Sequence, residues 1–333
     1  MKKIIALVLI STVFTSRIAA AAAAEQKDCT LKQYASVDFL PMSKDLLLIP
    51  ITVNGKNAAV VLNLGLGLSM VAKDAPNSFG LKVKNWPNNF RPLNIGSERV
   101  KRIATADSIA IGQLSFGANE FVVDERREIG GPIDSTPVIG MIGMSFFANV
   151  DFELDFVNRR LNLYSQEHCV GQVVYWANNY AAVPIREGDI GDRYLLMELE
   201  GKKMQTALST VAATTILNTD ASKTLFGFDE KSDGVVSESN AAGDTVSHYQ
   251  AMALTTDGLE IMNAKIKLSA PSLKYCRFNE AADKESKAAG YSSCSGIYPL
   301  SLGMNVLQKM HLYFAMREKV MYFTAAEANK SNP

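Results

Sequence analysis

Two positions in this 333-residue chain could do chemistry because each stands where an apolar run breaks into a tight turn. Asn63 opens Asn63-Leu64-Gly65, and Ser209 opens Ser209-Thr210-Val211. A carboxamide exchanges no proton near neutral pH, and a serine hydroxyl needs a neighbouring base before it attacks anything. Only His168, His248 and His311 could be that base, and none sits in a recognisable catalytic string. Asp74 and Asp220 follow the two turns and read as exposed or helix-capping groups. Asp151 and Asp155 alternate along one strand-like run and read as structural. The four cysteines lack zinc spacing, and the chain has neither a phosphate loop nor a dinucleotide fingerprint, so no metal and no cofactor is expected.

The elements that must position Asn63 and Ser209 are hairpins, and they repeat. Leu46–Val53 and Ala58–Leu62 flank Asn54-Gly55, a tight-turn dipeptide between runs rich in Leu, Ile and Val. Tyr194 to Leu217 replays the pattern around Glu200-Gly201. The glycines are offset by 201 − 55 = 146 residues and the turn residues by 209 − 63 = 146. One offset for hairpin and turn together implies two lobes of the same fold.

The repeated stretch resembles the active-site hairpin of the retropepsin-like and pepsin-like aspartic peptidases. In that family each lobe delivers one Asp-Thr-Gly turn to the floor of a cleft. The resemblance implies an all-β fold with short helices: two similar barrel lobes and an interlobe cleft. It also implies an apolar stretch ending in a glycine that passes under each turn, matched by Pro137 to Met144 with Gly143 and Pro299 to Met304 with Gly303, each followed by a short helical turn. Domain bounds follow the same order: a lobe at 25–168, a linker at 169–182, a lobe at 183–326 and a tail at 327–333. The motif that would carry activity departs from the family. The family's acids share one proton, and Asn63 and Ser209 stand in their places. Leu64 cannot make the family's hydroxyl bridge between lobes, whereas Thr210 can. Gly65 keeps the permissive third position, but Val211 does not. The expectation is an inactive peptidase homologue whose cleft binds an extended peptide, a protein or another ligand; the alternative is an active endopeptidase drawing its acids from elsewhere.

Composition agrees with a globular two-lobed protein: 47% of residues are hydrophobic and 20% charged. With 34 basic and 34 acidic residues, no charge excess points to nucleic acid. Met1-Lys2-Lys3, an apolar run to Phe14 and alanines up to Ala24 read as a signal peptide over 1–24, hence a periplasmic or secreted protein with no membrane attachment after its removal. Cysteines in an exported chain are expected to pair. Cys29 with Cys169 would tie the ends of lobe one, and Cys276 with Cys294 would close a polar loop. Since one chain supplies both lobes, a cleft requires no dimer.

Overall fold

The computed structural model describes residues 29–41, 46–89, 92–95, 98–133, 135–188, 191–239, 243–270, 278–279, 291–292 and 297–326. The signal segment 1–24, Cys276, Cys294 and the tail 327–333 lie outside the described residues.

Lobe one contains β1 (Leu48–Val53), β2 (Lys56–Asn63), β3 (Met70–Ala72), β4 (Arg102–Ile111), β5 (Leu114–Asp124) and β6 (Thr136–Gly143). They close on themselves in the circuit β6–β2–β1–β4–β5–β3–β6, in which β6–β2 and β3–β5 are parallel. Lobe two contains β7 (Arg193–Leu199), β8 (Lys202–Leu208), β9 (Ile216–Asn218), β10 (Thr245–Thr256), β11 (Leu259–Ser269) and β12 (Leu300–Leu302). Its circuit, β12–β8–β7–β10–β11–β9–β12, repeats every partner and every sense of pairing. Closure leaves few strand edges to protect and surrounds a core of alternating inward residues. Val60 and Leu62 on β2, with Ile139 and Ile142 on β6, are fully buried in it.

The two hairpins turn in the same way and are pinned by different side chains. Both central residues have positive φ, 48° and 78° at Asn54 and Gly55 and 48° and 77° at Glu200 and Gly201, the twist a two-residue hairpin needs. Asn54 tolerates that region, and its side chain accepts from Asp107 N–H and Ser108 N–H while donating to the carbonyls of Phe79 and Gly80. Glu200 has no such intrinsic ease. Its carboxylate is held by Met252 N–H at 2.9 Å and by the Tyr249 hydroxyl at 3.2 Å.

A six-stranded antiparallel sheet joins the lobes, in the order Gln33–Asp38, Arg160–Tyr164, Asp151–Asp155, Met310–Ala315, Val320–Ala325, Ala181–Pro184. The junction is the pairing of Asp151–Asp155 with Met310–Ala315, where Phe152 and Phe314 stack at 4.4 Å. Along Gln33–Asp38, at the edge of the sheet, exposed positions outnumber the buried one, so the strand shows little hydrophobic alternation. β5 bends at Gly117, whose φ is positive, and continues.

One face of this sheet packs on the lobes, and the other buries a polar network, as strand alternation requires. The fully buried Glu153 carboxylate accepts from Asn162 Nδ2 (2.7 Å), the Tyr164 hydroxyl (2.8 Å) and the Tyr175 hydroxyl (2.9 Å), and it pairs with His311 Nε2. Asp151 pairs with His168 Nε2 at 2.6 Å and accepts from Met316 N–H at 2.8 Å. Burial pushes the Asp151 carboxyl above the ordinary carboxylate range, against the opposing pull of His168. Each of these lobe-one carboxylates thus takes part of its hydrogen bonding from lobe two, Glu153 from His311 and Asp151 from Met316. Cys29 is bonded to Cys169, closing a span of 140 residues. In the chain-entropy model a loop of that length is worth about 5 kcal/mol.

Glu153→Ala strands four donors, the half-buried His311 imidazole among them, so it should lower unfolding free energy by about 3–5 kcal/mol in urea titration. A loss below about 1 kcal/mol would show that the network does not hold the lobes.

Candidate functional site

The two turns meet back to back at the lobe interface. A Cβ built on Gly65 would lie 3.2 Å from the Leu208 carbonyl oxygen and 4.0 Å from Ser209 Cα. The Thr210 hydroxyl crosses the interface, accepting from Leu64 N–H at 3.1 Å and donating to the Leu62 carbonyl at 2.6 Å. Leu64, the position related to Thr210 by the repeat, is buried in the apolar core and returns no such bond. The bridge is therefore one-sided.

Asn63 is buried at the end of β2. Its Oδ1 accepts from Gly65 N–H at 3.0 Å, which orients the amide so that Nδ2 donates to Met141 Sδ at 3.7 Å. Ser209 follows β8 and is half-buried; its own N–H bonds the Leu302 carbonyl at 2.8 Å. Val211 is 39% exposed. Beside the first turn, Met70, Val100 and Val122 form an apolar cluster with the partly buried Leu66, Leu68, Trp86, Leu93 and Met141. Asn63 thus sits next to apolar surface, with its one free-standing polar group already directed at a sulfur atom.

Beneath each turn a glycine passes where no side chain fits. A Cβ on Gly143 would meet the carbonyl oxygens of Leu66 and Leu68 at 2.6 Å, and one on Gly303 would meet the Thr214 carbonyl carbon at 2.3 Å. Neither glycine has positive φ, so close approach is the reason for glycine here. The turn is then hydrogen-bonded to the chain that follows the glycine: Met144 N–H to the Leu66 carbonyl and Met304 N–H to that of Ala212, each at 2.8 Å. The Ser69 and Thr215 hydroxyls accept from Gly143 N–H and Gly303 N–H, each at 3.2 Å. Reading the residues one by one missed this pair. The repeat offset itself could have found it, since 215 − 69 = 146 relates two hydroxyl residues.

The other candidate acids and bases are engaged elsewhere. Asp74 accepts from Ile129 N–H at 2.9 Å, and Asp220 lies in the first helical turn capped by Asn218. Asp151 and His168 belong to the shared sheet, and Asp155 accepts from Asn158. His311 pairs with Glu153, while His248 lies on β10, where burial and then the neighbouring Lys265 hold its imidazole below the ordinary range. Among the described residues, no carboxylate or imidazole hydrogen-bonds to Asn63 or Ser209, and no three His, Cys, Asp or Glu side chains converge as a metal site would need.

Two identically wound six-stranded barrels, a shared sheet between them and paired turns over paired glycines constitute the bilobal fold of the retropepsin-like and pepsin-like aspartic peptidases. Among solved structures the chain is similar to a retropepsin-like aspartic protease from Rickettsia conorii, at 18% identity over 41% of this chain and 95% of that one, with a TM-score of 0.28. It is also similar to an aspartic proteinase from Irpex lacteus, at 12% identity over 89% of this chain and 98% of that one, with a TM-score of 0.49. No family model and no curated protein matches the sequence. With TM-scores below 0.5 neither likeness carries the fold, which rests on the strand pairing of the two barrels.

Thr210→Val removes the only hydroxyl in the bridge and leaves the buried Leu64 N–H unpaired, which should cost about 1–3 kcal/mol of stability in denaturant titration. Gly303→Ala drives a methyl group into backbone that cannot yield; a loss of about 3 kcal/mol or more, or failure to fold, is expected. Unchanged midpoints in either variant would contradict the geometry.

Proposed function

We propose that this chain is an exported protein with the aspartic-peptidase-like fold that has lost hydrolysis and kept ligand binding. The observation that carries the reading is the pair Asn63 and Ser209 at the turn positions. Activating water between two turns requires one group that takes a proton while its partner gives one. An amide and an unassisted hydroxyl do neither.

Peptide is the ligand class that the cleft floor favours. The exposed Val211 and the apolar cluster around Leu66, Leu68 and Met141 offer contact surface for aliphatic side chains. Extended peptides bind such clefts through main-chain hydrogen bonds, with alternate side chains supplying selectivity. Export is supported by the signal-like segment and by the Cys29–Cys169 bond, which persists in oxidising compartments. Among the described residues no helix is long and apolar enough to cross a membrane.

Calorimetric titration with short unstructured peptides rich in aliphatic residues tests the reading. Saturable binding is expected, weakened about tenfold or more by Val211→Arg, which places a charge on the cleft floor. Absence of binding, or equal binding by the variant, would count against a peptide-binding cleft.

A further inference from the structure

A second site lies away from the turns. Between the segment that crosses from lobe to lobe, the β10–β11 hairpin tip and the margin of the shared sheet is an open groove of about 1280 Å³. None of its lining residues comes from 63–69 or 209–215. The volume is ample for a ligand of several rings, since sites for small molecules occupy roughly 300–1,000 Å³.

The crossing segment makes one wall, and its composition is unusual for an exposed connection. From Val170 to Ile185 there is no charged side chain, and Tyr175-Trp176-Ala177-Asn178-Asn179-Tyr180 runs along the groove. The polar handles of its three aromatic residues are tied inward. The Tyr175 hydroxyl bonds Glu153, Trp176 Nε1 donates to Thr324 Oγ1 at 3.0 Å, and the Tyr180 hydroxyl donates to the Gly171 carbonyl at 3.2 Å. The two tyrosines nevertheless remain open to solvent, Tyr175 61% and Tyr180 46% exposed, while Trp176 is half-buried. Trp176 lies flat on His311 at 4.1 Å and lines the groove beside it. These rings are held rigidly, which lowers the entropy lost when something stacks on them.

The geometry points to a neutral oligosaccharide as the occupant. A sugar ring presents an apolar C–H face to an aromatic surface and a rim of hydroxyls that both donate and accept. The amides of Asn178 and Asn179, between Trp176 and Tyr180, donate and accept in the same way. Charges around the groove are of mixed sign, with Glu260 and Asp155 against Lys309, so they select no anion. An added peptide strand would find little backbone to pair with on the floor. Met310–Ala315 and Val320–Ala325 are each hydrogen-bonded to strands on both sides.

The chain has two tryptophans, and Trp86 belongs to the apolar cluster of lobe one. Trp86→Phe therefore makes Trp176 the only indole. The test is a glycan array probed with the full chain, followed by fluorescence titration of Trp86→Phe with the best neutral oligosaccharide on the array. The result expected is a saturable change in Trp176 emission, with affinity falling at least about tenfold in Asn178→Ala/Asn179→Ala. Both asparagines are exposed, so that variant keeps the fold, and Val211→Arg should leave the affinity unchanged, separating this groove from the cleft. The proposal is overturned if no neutral glycan is retained above the level of Asn178→Ala/Asn179→Ala. It is equally overturned if aliphatic peptides, and no glycan, change Trp176 emission.

Discussion

Each lobe depends on one backbone crossing that has no room for a side chain. Gly143 runs under the first turn and Gly303 under the second, within contact of carbonyl groups that belong to the turn itself. Main-chain bonds from Met144 and Met304, and the hydroxyls of Ser69 and Thr215, then fix the turn to what lies beneath it. All of these restraints act on backbone atoms. The side chain at the head of the first turn adds one bond, from Gly65 N–H to Asn63 Oδ1, which a carboxylate oxygen would accept equally well, so the turn's shape does not depend on the chemistry of that side chain. This separation of scaffold from chemistry is why fold alone says little about activity.

The lobes are held together by two further devices of unequal kind. At the turns the link is narrow: the single Thr210 hydroxyl and the Gly65–Leu208 contact. At the shared sheet it is broad, combining strand pairing, the Phe152–Phe314 stack and bonds from His311 and Met316 to the buried carboxylates of Glu153 and Asp151. Leu64, at the position the repeat relates to Thr210, makes no hydroxyl bridge in return. Its side chain is buried in the apolar core instead.

Much of this was legible in the sequence because the duplication doubles every signal. Asn54-Gly55 and Glu200-Gly201 mark both hairpins, and Gly143 and Gly303 stand at matching ends of apolar runs. Gln33–Asp38 was not legible, since an edge strand with mostly exposed positions has little alternation to show. Glu153 and His311 were also opaque as a pair. They are 158 residues apart, and only the register of the shared sheet brings them together. The groove wall at Tyr175 to Tyr180 read as a linker because its aromatic residues have no period; their common purpose appears only when their hydroxyl and indole groups are seen tied inward.

The central claim is that no proton-sharing pair exists between the two turns. It is tested most directly by measuring hydrolysis of an unfolded protein substrate from about pH 3 to pH 7, the range in which carboxylate dyads exchange protons. The wild-type chain should show no turnover sensitive to a transition-state-like peptide inhibitor at any pH, whereas Asn63→Asp/Leu64→Thr/Ser209→Asp/Val211→Gly supplies the acids such turnover needs. Inhibitor-sensitive cleavage by the wild-type chain, abolished by Asn63→Ala or Ser209→Ala, would contradict the account.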